Sequence, residues 1–130
     1  MLQSWRVGDA KVSSIVEYSA PTHDPTVLYP KFDRAAFEAL IPSLPQGHYY
    51  PATDRLTIAI QIWLLEVDGK KIIVDTGVGN AKPRTPARMK NLNTLFLAWL
   101  EASGAKPDDI THVVLTHMHP DHVGWNTVYQ

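Results

Sequence analysis

Cysteine is absent from the 130-residue sequence, which excludes a disulfide scaffold, a thiolate metal site and a cysteine nucleophile. Neither charge sign is in excess, because 12 Lys and Arg residues balance 13 Asp and Glu residues and leave a formal net charge of -1. A near-neutral chain lacks the general electrostatic attraction that nucleic acid or an anionic membrane offers to a basic protein. We therefore expect neither of them as the main partner.

Long apolar runs are also missing, and no stretch approaches the ~20 residues that cross a bilayer. The first six residues, Met1 to Arg6, lack the basic end and apolar core of a secretory signal, so a cytoplasmic location is the default expectation. The content of 45% hydrophobic and 9% aromatic residues argues against disorder. A chain of this length corresponds to about one domain, and we treat residues 1–130 as a single one.

Strand and turn signals fill the first part of the chain. Two β-prone runs, 4–7 and 10–17, flank the turn pair Gly8-Asp9 and predict a hairpin. Residues 20–30 carry three prolines and predict a loop. Asp33 then has the position of an N-cap for a short helix that ends at Leu40, before Pro42.

From residue 56 the pattern becomes more apolar. Residues 57–67 predict a strand buried on most of its length, and Asp68-Gly69 predicts a tight turn into an antiparallel strand over 71–74. Apolar residues at helical spacing over 92–100 predict a helix with Gly104 at its end, and residues 113–115 predict a buried strand. The order of elements indicates a mixed α/β fold with a largely antiparallel sheet.

Three histidines and an aspartate stand within the six residues 117–122, directly after the last predicted strand. On extended backbone, His117 and His119 project to the same side and can converge on one cation. Pro120 breaks the extended run, so Asp121 and His122 point differently and could serve a second cation nearby. Imidazole nitrogen and carboxylate oxygen without sulfur suit Zn²⁺, Mn²⁺ or Fe²⁺.

A single histidine beside a strand is more often a packing or surface residue than a ligand. His112, within the last predicted strand, is assigned a structural role on this ground, and His23 and His48 are unpaired loop residues with weak claims. A His-x-His pair followed by Asp-His is different, since adjacent imidazoles on one side bring no packing advantage.

The segment Thr116–Gly124 resembles the signature of the metallo-β-lactamase-fold hydrolases. The resemblance extends to Ile72–Gly77, which is similar to the strand-end Asp-Thr-Gly of that superfamily, to the loop Gly77–Asn80, and to Gly124–Thr127. It covers most of the chain and is strongest from Leu56 onward. It implies the N-terminal half of an αββα sandwich, with helices on one face of a mostly antiparallel sheet.

By this resemblance, His117 and His119 bind the first metal ion, and Asp121 and His122 bind the second. Asp75 resembles the carboxylate that orients the imidazoles of the site, although a turn-former after a strand is the alternative for that residue. The implied cofactor is a pair of zinc ions, or manganese or iron in their place. The implied reaction is hydrolysis by metal-activated water, with Asp121 also passing a proton to the leaving group.

The sequence lacks three metal ligands that the family pattern places downstream of this motif. They are a third histidine, a bridging carboxylate and a further histidine. Residues 117–122 supply at most two protein ligands for each metal, fewer than the three typical of catalytic zinc. We therefore expect an incomplete, N-terminal half of the domain, whose activity alone is in question. The alternative is a half-domain that associates with a second copy or with a complementing C-terminal half.

The substrate class rests on weaker signals. The loops around the histidines look most like those of lactonase-type and related carboxylic-ester hydrolases, so we expect a small-molecule ester, lactone or related acyl substrate; β-lactams, thioesters and phosphoesters stay open. Trp125 either lines the pocket or anchors the helix. Four aromatic residues in the N-terminal loops either form an apolar wall or pack on one another: Tyr29, Phe32, Tyr49 and Tyr50.

Overall fold

The structure is a computed structural model that describes residues 1–128. These residues form six strands, three α-helices and four short 3₁₀ turns. The strands are β1 (Leu2–Val7), β2 (Ala10–His23), β3 (Tyr49–Tyr50), β4 (Arg55–Val67), β5 (Lys70–Val74) and β6 (His112–Val114). The helices are α1 (Pro25–Leu28), α2 (Arg34–Leu40) and α3 (Phe96–Ala102), and the 3₁₀ turns are Ile41–Ser43, Ala87–Met89, Pro107–Asp109 and Gly124–Asn126.

Within residues 1–128 the strands form one sheet in the order β1-β2-β4-β5-β6, with β3 paired to β4. The pairs β1/β2, β3/β4 and β4/β5 are antiparallel, and only the pair β5/β6 in the described ladders is parallel. Two tight turns with left-handed residues produce the hairpins, Gly8 in the first and Asp68-Gly69 in the second. The mixed, mostly antiparallel α/β architecture expected from the sequence is confirmed.

The chain divides into two compact units. The main unit comprises residues 1–18 together with the chain from residue 60 onward, and the middle unit comprises residues 19–59. No helix in the described part of the chain is long and apolar enough to cross a membrane.

The core of the main unit lies between α3 and one face of the sheet. It consists of the buried residues Ile15, Ile62, Leu64, Ile73, Phe96, Leu100 and Ala105. Alternate residues of β4 face this core, since Ile62 and Leu64 are fully buried whereas Trp63 and Leu65 are half-buried. The prediction that β4 is buried on most of its length is therefore wrong, because α3 covers only one of the two faces of the described sheet.

The middle unit is held by capped helices, an ion pair and aromatic contacts. The Asp33 carboxylate accepts a hydrogen bond from the Ala36 amide at 3.1 Å, so the predicted N-cap of α2 is confirmed. Arg34 donates two hydrogen bonds to the Asp54 carboxylate at 2.9 and 2.7 Å. The ring of Phe37 in α2 packs edge-on against Tyr49 with centroids 4.9 Å apart and against Phe32 at 5.3 Å. Two of the four loop aromatics thus pack on this helix, whereas Tyr29 and Tyr50 are exposed.

Two element boundaries and the burial of one strand differ from the sequence prediction. Strand β2 continues to His23 through the predicted loop, because its ladder with β1 ends near Ile15 and an unpaired side of a strand tolerates proline. Helix α3 starts only at Phe96, since the Thr94 amide donates to the Asn80 side chain at 2.7 Å and holds the preceding segment as a loop. Strand β6 is short and exposed rather than buried, with Val113 50% exposed, because among the described strands it pairs with β5 alone.

Candidate metal centre

The candidate centre is built by two loops that leave neighbouring strands of the main unit at the same end. The Asp-Thr-Gly turn (residues 75–77) follows β5, and the histidine loop (residues 116–122) follows β6. Because β5 and β6 are parallel and adjacent, their carboxyl ends meet at one edge of the sheet. The topology therefore brings together two motifs that lie some forty residues apart in the sequence.

Backbone hydrogen bonds join the two loops. The Asp75 amide donates to the Val114 carbonyl at 2.8 Å, which extends the β5/β6 pairing by one step. The Thr76 amide and hydroxyl both donate to the His122 carbonyl, at 2.8 and 3.0 Å. The Trp125 amide donates to the Thr76 carbonyl at 2.8 Å. The backbone around His122 is thus fixed from the Asp-Thr-Gly turn rather than by its own loop alone.

Asp75 lies at the centre of the junction between these loops. Its side chain is 9% exposed, and its φ of 58° is in the left-handed region, which is uncommon for a residue other than glycine. One oxygen accepts from the Thr116 amide and the other from the Thr116 hydroxyl, both at 2.8 Å. Strained backbone of this kind persists only where the surrounding contacts determine it, and here those contacts reach the histidine loop.

The Asp75 carboxylate also contacts the ring of His122, whose Nδ1 lies 2.8 Å from Oδ2. Burial acts to raise the pKa of Asp75, but the hydrogen bonds from Thr116 and His122 outweigh it and hold that pKa below its ordinary value. Since a carboxylate only accepts, Nδ1 of His122 carries the proton, and in a neutral ring Nε2 then presents its lone pair. Nε2 of His122 is therefore the nitrogen that can bind a metal ion.

The three imidazoles of the motif lie side by side. The ring centroids of His117 and His119 are 4.6 Å apart, and those of His117 and His122 are 3.9 Å apart. Asp121 Oδ2 lies 3.8 Å from His122 Nε2, too far for a hydrogen bond. His117 and His119 are exposed, whereas the side chains of Asp121 and His122 are 26% and 25% exposed.

The donor types present fit a borderline cation such as Zn²⁺, because they are imidazole nitrogens and a carboxylate oxygen. Within residues 1–128, however, no three His, Asp or Glu side chains are grouped so that they could hold a metal ion. The assignment of His117, His119, Asp121 and His122 as ligands, and of Asp75 as the residue that orients them, stays a prediction.

Three other histidines lie outside the loop, as the sequence prediction has them. His112 is exposed on β6 and its Nδ1 lies 2.9 Å from the Thr111 hydroxyl. His23 ends β2, and its Nδ1 lies 2.9 Å from the Thr22 hydroxyl. His48 lies close to Pro45, whose carbonyl is 3.1 Å from its Nδ1. None of the three belongs to the histidine loop.

Glu17 is the residue that sequence reasoning missed. Its side chain is in the covered face of β2, and the residue is only 8% exposed. The carboxylate accepts from the amide of Val78 at 2.7 Å and from the indole Nε1 of Trp125 at 2.6 Å. The available signal was its spacing, since residue 17 shares a strand face with the buried Ile15.

The glycine loop (residues 77–80) lies so close to Glu17 and to Gly124 that only glycine fits at positions 77 and 124. A Cβ on Gly77, whose φ is 59°, would lie 2.2 Å from Glu17 Oε2. A Cβ on Gly124 would lie 1.9 Å from the Val78 carbonyl carbon. The Gly124 amide also donates to the Gly77 carbonyl at 2.7 Å. The contact between the glycine loop and the segment at Gly124 therefore requires glycine at both positions.

The fold and the paired loops together define the class of protein. The sequence profile of the Metallo-beta-lactamase superfamily matches residues 57–130, which is more than half of the chain. The chain belongs to the metallo-beta-lactamase superfamily. A comparison with curated protein sequences finds no match.

Solved structures similar in fold include two that are described as hydrolases and one that is described as a lactonase. The hydrolase AbOPH of the beta lactamase superfamily superposes with a TM-score of 0.71 at 19% identity, over 94% of this chain and 38% of that one. The dizinc quorum-quenching lactonase AidC, in complex with a product, gives 0.68 at 22% identity, over 95% and 38%. A probable metal-dependent hydrolase from Staphylococcus aureus gives 0.70 at 18% identity, over 92% and 41%. The chain thus spans about two-fifths of the length of these structures.

Proposed function

We propose that this chain contributes part of a divalent-metal site and that the protein is a hydrolase of esters, lactones or related acyl compounds. The observation that carries the proposal is the 2.8 Å contact between Asp75 Oδ2 and His122 Nδ1, which joins the two loops at a histidine of the motif. Hydrogen bonding of this kind fixes the tautomer and the direction of a ligating histidine. The superfamily membership and the hydrolase neighbours support the same conclusion.

The roles follow the sequence prediction. His117 and His119 would hold one cation, Asp121 and His122 a second, and Asp75 would keep His122 in the tautomer whose Nε2 is free. When bound, such a cation acts as a Lewis acid that lowers the pKa of a coordinated water and polarises an acyl carbonyl. Asp121 would also carry a proton to the leaving group. Zinc is the cation we propose first, because the structurally similar lactonase AidC is described as dizinc.

The substrate class is proposed as a lactone or a related carboxylic ester. Support comes from the structural likeness to a quorum-quenching lactonase. The main unit also has an apolar groove of about 400 Å³ between α3 and β6, lined among others by Phe96, Leu100, Val113 and Trp125. Apolar lining with a few convergent polar groups is typical of small-molecule sites. Addition of water would give a hydroxy acid from a lactone, or a carboxylic acid and an alcohol from an open-chain ester.

Metal analysis of the intact gene product after chelator-free purification tests the metal site. We expect one to two equivalents of Zn, Mn or Fe, falling sharply in His119→Ala, because that substitution removes a proposed ligand. His112→Ala is the matched control, since that histidine is exposed on β6 and outside the loop. A metal-free wild-type protein, or equal metal in His119→Ala, would contradict the proposal.

A second candidate function, a half-domain that works by association, is favoured by the other face of the sheet. Trp63 and Val74 are opposite each other on this face, as are Leu65 and Ile72, and all four are half-buried. Trp5, 47% exposed, packs against Trp63 with ring centroids 6.2 Å apart. An apolar face of this kind is typical of a surface that another layer covers. A monodisperse, stable monomer in light scattering would exclude obligate association.

A further inference from the structure

The buried carboxylate of Glu17 joins three segments of the main unit: the glycine loop, the segment at Thr94 and the segment at Trp125. Glu17 Oε2 accepts from the Val78 amide at 2.7 Å. Glu17 Oε1 accepts from the Gly79 amide at 3.2 Å, the Thr94 hydroxyl at 3.2 Å and the Trp125 indole at 2.6 Å. Four donors from three parts of the chain therefore meet on one side chain.

The burial of Glu17 makes this arrangement demanding. A buried carboxylate is costly unless hydrogen bonds satisfy it, and the four donors do so without a side-chain cation among them. The contact also requires glycine at position 77, where a Cβ would overlap Glu17 Oε2. Trp125 contributes a further contact, because its ring packs on Phe96 of α3 with centroids 5.2 Å apart. The position of the indole is thus fixed at both its apolar face and its polar nitrogen.

Two of the segments held by Glu17 are hydrogen-bonded to the turn that fixes the backbone of His122. The Trp125 amide donates to the Thr76 carbonyl, and the Thr76 amide and hydroxyl donate to the His122 carbonyl. The glycine loop is tied to the same segment, since the Gly124 amide donates to the Gly77 carbonyl at 2.7 Å. Two short hydrogen-bonded routes therefore lead from Glu17 to the end of the histidine loop, one through Trp125 and one through the glycine loop.

We propose that Glu17 is a positioning residue of the candidate metal centre, which acts on His122 through Trp125 and the glycine loop. This role rests on the proposed function, because it assigns Glu17 to the support of that site. Glu17 touches no member of the histidine loop in the hydrogen bonds described above. Its effect is to keep the backbone at Thr76 and His122 in the position that the Asp75 contact needs.

The test is zinc affinity of Glu17→Gln, measured by competition with a chromogenic chelator. The amide of Gln keeps one acceptor oxygen but turns an NH₂ group towards backbone or indole donors, so at least one of the four hydrogen bonds is lost. A direct hydrogen-bond partner of a metal ligand typically contributes a factor of about 10–100 to metal affinity. Glu17 acts through intermediate residues, so we expect a smaller but measurable loss of zinc affinity. Glu66→Gln is the control, since Glu66 is at the far end of the β4/β5 hairpin and ion-pairs with Lys11.

A readout that needs no metal separates this role from the proposed function. The indole N–H resonance of Trp125 is expected to move in Glu17→Gln and to stay in place in Glu66→Gln. Trp125→Phe keeps the ring contact with Phe96 but removes the indole donor, and it is the second variant if Glu17→Gln does not fold; its zinc affinity should also fall. Circular dichroism confirms the fold of each variant.

The outcomes are distinct. Weaker zinc binding in Glu17→Gln or Trp125→Phe, with unchanged binding in Glu66→Gln, supports the role. Equal zinc affinity in wild type, Glu17→Gln and Trp125→Phe overturns it while the metal site stands. A wild-type protein that binds no zinc overturns the proposed function, and the role of Glu17 at that site with it. In that case the indole resonance still shows whether the Glu17–Trp125 junction exists, because it does not depend on metal.

Discussion

The two units of the chain each use a carboxylate to hold loops, and they do so in opposite environments. In the main unit Glu17 is buried and accepts hydrogen bonds from amide, hydroxyl and indole groups. In the middle unit Asp54 is accessible to solvent and pairs with the Arg34 guanidinium and the Tyr49 hydroxyl. The buried carboxylate depends on shape, since its donors reach it only where glycine leaves room, whereas the exposed one depends on charge.

This difference predicts which unit is sensitive to packing and which is sensitive to pH. A buried group whose partners are neutral stabilises the fold only while its hydrogen-bond geometry is kept, so a change in packing removes that stabilisation. An exposed ion pair contributes little at neutral pH and is weakened by salt and acid. The candidate metal centre lies on the packing-sensitive side of this comparison, because its loops are joined to the Glu17 junction.

The largest expected effect comes from Gly77→Ala. Its matched control is Gly8→Ala, because both glycines have nearly the same left-handed φ, 59° and 58°, and a Cβ on Gly8 meets no atom within 4 Å. Both variants carry the backbone cost of about 1–2 kcal/mol, and Gly77→Ala adds a clash with Glu17 that we expect to cost about 1–3 kcal/mol more. Urea denaturation measures both. An equal decrease in the free energy of unfolding of the two variants would show that Glu17 moves aside from the added Cβ at no cost in stability.

A smaller effect is expected at Asp54, and it depends on pH. The guanidinium of Arg34 and then the hydroxyl of Tyr49 lower the pKa of Asp54 to about 2, below its ordinary value near 3.8. Because the pKa is lower in the folded protein, the stabilisation is present above pH 4 and is lost as the pH falls towards 2. Asp54→Asn should therefore unfold more easily than wild type at pH 6, and the difference should shrink in acid. Melting temperatures across this range check the trend, and a constant difference would contradict it.

Much of the fold could be predicted from the sequence because its signals are local. The hairpins follow from Gly8-Asp9 and Asp68-Gly69, and the start of α2 follows from the Asp33 cap. The exposure of β6 could not be predicted, since an apolar run such as 113–115 does not show which neighbours cover it. The late start of α3 depends on a contact between Thr94 and Asn80, which sequence periodicity does not reveal.

The candidate centre likewise has residues that a local motif identifies and residues that only tertiary contacts identify. The histidine loop and Asp75 could be picked out from the sequence, because their spacing resembles the signature of the superfamily and its accompanying Asp-Thr-Gly turn. Glu17 was missed, since a lone glutamate in a strand has no motif and its donors are 61 to 108 residues away in the chain. The contact between Asp75 and His122 depends on the parallel pairing of β5 with β6. Long-range pairing of this kind is set by tertiary structure.

We infer that Asp75 holds His122 with its Nε2 available to a cation. Nitrogen-15 NMR of the histidine side chains during a zinc titration of the protein measures which ring nitrogen carries the proton and which responds to the metal. We expect His122 to be protonated at Nδ1 before zinc is added, and zinc to move its Nε2 resonance while Nδ1 stays protonated. A His122 ring that carries its proton on Nε2, or ring nitrogens of His117, His119 and His122 that do not respond to zinc, would show that Asp75 does not have this role.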